Sequence, residues 1–309
     1  MVTASTPADD GTVDGVAISR RLLLAAAVCV GIAVIAYLLM VRTALGQRFD
    51  NAALIGASQQ DYTERVNDSF FIAHTIATAF FLSLAIVITL GIFRRRWRLG
   101  LSLGVVAVLA VIVTHALKVK VLTRPVLVAT DNVVTSYNTY PSGHTATAIA
   151  AALVLVVACP PRFRGAVAVL AGAYAAVIAQ DVQTAGWHRP SDAIGAAFVV
   201  FALVAVVAAA FARWRPISIG SQQTHAAAYP ILAVAWLTSG FFSAYNAARA
   251  LNVLRTTSDA VSVTPTLRND AHQFSIALTV LIIASLLAAL LGLLGAADLD
   301  APRRRTATA

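Results

Sequence analysis

The sequence predicts an all-α protein, a polytopic transmembrane bundle of about eight helices. Three observations carry this. Of the 309 residues, 59% are hydrophobic and 12% charged, whereas a soluble domain carries about twice that charge. Apolar runs recur along the chain, and a run of about 20 residues is long enough to cross a bilayer. The arginines cluster in the short turns between those runs. The two-residue alternation of a membrane barrel is absent.

The first run, 22–41, follows Ser19-Arg20-Arg21. It is longer than the apolar region of an export signal and no small-residue cleavage site closes it, so it reads as an uncleaved first helix. Further spans are expected over 70–93, 99–121, 143–160, 165–184, 191–212, 227–247 and 273–296. This gives a six-helix core over 19–215 and two additional helices over 216–297. A polar tail over 1–18 reads as disordered, and a basic tail closes the chain over 298–309. The segment 42–69 has mixed charge and reads as partly helical.

Orientation follows from the arginines. With eight spans, Arg20-Arg21, Arg94 to Arg98, Arg162 with Arg164, Arg213 with Arg215, and Arg303 to Arg305 all fall on one side. Short basic turns mark the cytoplasmic side. Both termini are then expected in the cytoplasm of a multi-pass cell-membrane protein, with the partner medium a lipid bilayer. The same placement accounts for the net charge of +9 without a nucleic-acid partner. Cys29 and Cys159 fall in apolar runs and read as small buried hydrophobes rather than a disulfide or metal set.

Three segments on the opposite side carry chemistry. Pro141-Ser142-Gly143-His144 opens the fourth span. A helix start offers free N–H groups and a positive dipole end that suit an anion, and histidine exchanges protons near neutral pH. In "GWHRPSDAIG", 186–195, His188 precedes Asp192 by four residues. That carboxylate can fix the imidazole tautomer and leave the other nitrogen free as nucleophile or base; it also suits a helix cap. Lys118 and Lys120, the two lysines of the chain, end the third span ahead of Arg124. Cations there suit a phosphate, although Lys120 points away from Lys118 and suits a headgroup contact. Two histidines and a carboxylate fit nucleophilic attack followed by protonation of a leaving group, and the pattern calls for no metal or other cofactor.

Together these residues resemble the type 2 phosphatidic acid phosphatase superfamily, over roughly residues 70 to 212. The matching motifs are Lys118 with Arg124-Pro125, then Pro141-Ser142-Gly143-His144, then His188 with Asp192. The resemblance implies a metal-independent phosphatase of lipid phosphates or diphosphates, working through a phosphohistidine at the outer leaflet. Lys118 and Arg124 would hold the phosphate, with Ser142 and the Gly143 N–H on its oxygens. His188 would attack phosphorus, Asp192 would orient it, and His144 would protonate the leaving group. Two departures stand out. Five residues separate Lys118 from Arg124 where six are usual, and the family's Ser-Arg positions hold Asp181 and Val182. Arg189, next to His188, is the nearest candidate to supply the lost cation, or else pairs with Asp181 or a headgroup. Two alternatives share the motifs: a lipid phosphotransferase, and a weak or inactive lipid-binding relative.

Overall fold

The computed structural model describes residues 14–128, 137–219, 225–256 and 263–301. Among these are nine α-helices. They are α1 (Gly15–Ala36), α2 (Ala44–Ala57), α3 (Tyr62–Phe93), α4 (Trp97–Ala116), α5 (Gly143–Ala158), α6 (Pro161–Thr184), α7 (Pro190–Trp214), α8 (His225–Thr256) and α9 (Pro265–Leu294). Seven are long and apolar enough to cross a membrane. The eighth expected span, α5, has only 16 residues, or about 24 Å of helix. It is buried among its neighbours along most of its length, which frees it from matching the lipid.

The ends of α5 nevertheless reach both ends of the bundle. Its first residues meet α7 where α7 begins: the Ser142 N–H donates to the Asp192 carbonyl, 2.9 Å. Its last residue, Ala158, accepts from Arg94 at 2.8 Å. The short α5 therefore runs from one end of the bundle to the other.

Several helices begin earlier than hydropathy marks. Asp14 caps α1 through Val16 and Ala17 N–H, and Thr264 caps α9 ahead of Pro265 at its first position. Caps and polar first turns are helical without being apolar, so a hydropathy window omits them. Residues 14–18 thus belong to α1 or its cap, which corrects the expected tail; residues 1–13 lie outside the described residues. The expected basic tail is corrected too. Ile217–Ile219 (β1) pairs antiparallel with Ala297–Leu299 (β2), while residues 302–309, with the last arginine cluster, lie outside the description.

One end of the bundle gathers a cluster of arginines. Arg94 and Arg96 pair with Asp298, and Arg215 pairs with Asp300. Arg164, fully buried, donates to the carbonyls of Val156, Cys159, Gly295 and Ala297. Between the ends the core is rich in alanine, with Ala196, Ala205 and Ala208 of α7 at 0% exposure; small residues let helices approach closely in lipid. Gly100 shows this most clearly, since a Cβ there would lie 3.0 Å from the Gly91 Cα of α3. That contact lies within the chain. The bundle's outside carries Leu24, Leu39, Phe81, Leu170 and Phe241, all well exposed, as a surface facing acyl chains requires.

Candidate active site

The site lies at the other end, where α5 and α7 begin. Their N-termini are fastened together by the Ser142–Asp192 backbone bond, which brings His144 and His188 side by side. The imidazole centroids are 5.7 Å apart. The approach to α5 is fixed by Tyr140, whose hydroxyl donates to the Ala33 carbonyl of α1 at 2.6 Å. Its ring lies against Gly195 so closely that a Cβ there would fall 2.2 Å from the ring, so only glycine fits.

His188 is 6% exposed, and its Nδ1 is 3.2 Å from Asp192 Oδ2. The same oxygen accepts the Arg189 N–H at 2.9 Å and the Thr139 hydroxyl at 2.6 Å. Asp192 therefore caps α7 and pairs with His188 at once. With Nδ1–H held on a carboxylate, Nε2 keeps its lone pair. His144, half-buried, stands between Trp187, 5.2 Å away ring to ring, and His188; its Nδ1 is buried without a hydrogen-bond partner among the described residues. Lys118 is a charged neighbour of His144. Ser142 caps α5, accepting the Thr145 N–H at 3.2 Å, and space in front of Gly143 is open to 4 Å. Lys120 is exposed.

The two arginines expected at the phosphate sit differently. Arg124 donates to Asp50 at 3.3 Å and Asn51 at 3.1 Å. Arg189 is 1% exposed and donates to Asn51, the Tyr137 carbonyl and Thr139. Arg189, expected to turn toward a phosphate or else to pair with Asp181 or a headgroup, meets these three acceptors within the protein. Its guanidinium is built into the support of Asp192, because Thr139 links the two and Asn51 fixes the far side.

Asp50 and Asn51 come from α2, within the segment 42–69 whose mixed charge suggests only partial helix. Asp50 also accepts the Ser191 hydroxyl at 2.6 Å and the Ser191 N–H at 3.2 Å, so an internal carboxylate occupies the start of α7. Burial pushes the Asp50 carboxyl above the ordinary carboxylate range, against the pull of Arg124. Gln47 of the same helix clamps the segment after α4, donating to the Pro125 carbonyl and accepting the Leu127 N–H. A signal was readable: Gln47, Asp50 and Asn51 recur at three- and four-residue steps, a polar stripe on one face of a helix.

Two apolar grooves flank the site. One, of about 560 Å³, runs between α1, α4 and α7 and ends at Tyr37 and Tyr140. The other, of about 550 Å³, is walled by α2, α8 and α9 and ends at Phe49 and Pro190.

Comparison with known families places residues 99–216 within the PAP2 superfamily. That match contains the lysine, both histidines and Asp192, and excludes α2, α8 and α9. No curated protein and no solved structure matches the chain.

Proposed function

Because residues 99–216 match the PAP2 superfamily, we propose that the chain is an integral-membrane phosphatase of a lipid phosphate or diphosphate monoester. The observation that carries this is the His188–Asp192 pair at 3.2 Å with His144 beside it. His188 Nε2 attacks phosphorus, forming a P–N bond as the P–O bond to the lipid breaks. His144 gives the leaving oxygen its proton. Water then attacks the phosphohistidine, the P–N bond breaks, and inorganic phosphate leaves as its new oxygen loses a proton to His144. The first N–H groups of α5 face the phosphate oxygens, where a helix start stabilises negative charge.

The grooves support a lipid substrate. Each begins beside a residue that adjoins the site, Tyr140 or Pro190, and runs along apolar side chains. A membrane-embedded site also suits an amphiphilic substrate better than a soluble ester. With the arginine end cytoplasmic by the positive-inside rule, the site faces outward and the substrate comes from the outer leaflet.

The test is phosphate release by protein purified in detergent, offered phosphatidate, phosphatidylglycerophosphate and polyprenyl diphosphates in turn. At least one should be hydrolysed, in the presence of chelator and with inhibition by vanadate, and His188→Ala should abolish release. Activity that survives His188→Ala, or that disappears in chelator and returns with magnesium, rules out this mechanism.

A further inference from the structure

A phosphate group needs cationic donors aimed at its oxygens as charge develops. Arg124 and Arg189 are engaged by Asp50, Asn51 and Thr139, which leaves Lys118 beside His144. A further arginine reaches the same loop from a helix that no motif covers. Arg65 lies in the first turn of α3, and its terminal Nη2 is 3.4 Å from where a Cβ on Gly186 would sit. Gly186, at φ +76°, turns the chain out of α6 into Trp187 and His188. The next two N–H groups, of Trp187 and His188, both donate to the Val182 carbonyl, so the loop beneath the guanidinium is fixed. The Trp187 ring in turn packs near His144. Arg65 is half-buried, yet its Nε is buried with no hydrogen-bond partner among the described residues. Buried donors without partners are costly and uncommon, and in the site itself His144 Nδ1 and Asp192 Oδ1 likewise have no partner among the described residues.

Resting on the phosphatase reading, we propose that Arg65 is a phosphate-binding residue of this site, acting with Lys118 on the phosphoryl group held between His188 and His144. The opposing account makes Arg65 a structural cation at the C-terminal end of α6, where a positive charge favours the helix dipole. The two differ in what they do to phosphate affinity. Wild type, Arg65→Ala, Arg65→Lys and, as a control at the far end, Arg98→Ala are purified in detergent. Each is assayed for lipid-phosphate hydrolysis, inhibition by inorganic phosphate, and thermal unfolding with and without phosphate. Removing a charge-assisted contact predicts that Arg65→Ala lowers kcat/KM by about 100-fold and weakens phosphate inhibition by about tenfold. Arg65→Lys should recover part of both, and Arg98→Ala should match wild type. If Arg65→Ala, or Arg65→Lys where the alanine variant does not fold, keeps wild-type phosphate inhibition, the proposal is overturned. If wild type hydrolyses no lipid phosphate, the phosphatase reading fails instead, and stabilisation by inorganic phosphate then decides on Arg65: lost in Arg65→Ala supports it, retained overturns it.

Discussion

The two ends of this bundle use the same residue in opposite ways. At one end Arg94, Arg96, Arg164 and Arg215 meet Asp298, Asp300 and backbone carbonyls. None of these side chains leaves a buried polar atom unpaired. At the other end Arg124 and Arg189 meet Asp50, Asn51 and Thr139, and the chain of bonds continues to Asp192 and His188. There His144 Nδ1, Asp192 Oδ1 and Arg65 Nε have no hydrogen-bond partner among the described residues. A buried polar network that closes on itself is a clamp. One that ends in unpaired histidine and carboxylate atoms is poised for a ligand.

The comparison can be broken in three ways. The largest effect is all-or-none. Val126 at the site end and Phe163 at the arginine end are both exposed. Replaced singly by cysteine in intact cells, Val126→Cys should react with an impermeant maleimide and Phe163→Cys should not, while the native cysteines, both buried, stay silent. The reverse pattern would put the site on the cytoplasmic side.

Second in size is Asn51→Ala. Asn51 accepts from both Arg124 and Arg189, so its loss loosens the support of Asp192 without touching the reacting atoms. Losing hydrogen bonds to charged groups is worth about 1.5–3 kcal/mol, so kcat should fall by about 10- to 150-fold with KM little changed. A rise in KM alone would place Asn51 in substrate binding instead.

Smallest in activity is Arg164→Ala. Four carbonyls lose their donor, which should cost about 2–4 kcal/mol of stability and lower Tm, while kcat per folded molecule stays within about twofold. An equal fall in kcat and stability would show that the arginine end is coupled to the chemistry.

The elements of this fold differ in how far the local sequence discloses them. Long apolar runs must be buried in lipid or protein, so the spans were readable, including the short α5. Their starts were not, because Asp14 and Thr264 cap helices whose first turns are polar. The residues His144, His188 and Asp192 were readable because each pattern is local, four residues or fewer. Asp50 and Asn51 show locally only as a polar stripe, and their pairings, like that of Thr139, were hidden because the partners lie far along the chain: Asp50 meets Arg124 across 74 residues and Asn51 meets Arg189 across 138. The acceptors of Arg189 were invisible for the same reason, since adjacency to His188 says nothing about where a long side chain finds its acceptors.

The central claim is that His188 takes the phosphoryl group. The direct measurement is rapid quenching of turnover with a lipid substrate labelled at phosphorus, followed by denaturation. Wild type should carry covalent label that survives base and is released by acid, as a phosphoramidate does, and His188→Gln should carry none. Turnover with no covalent label at any quench time, or label that persists in His188→Gln, would contradict the account.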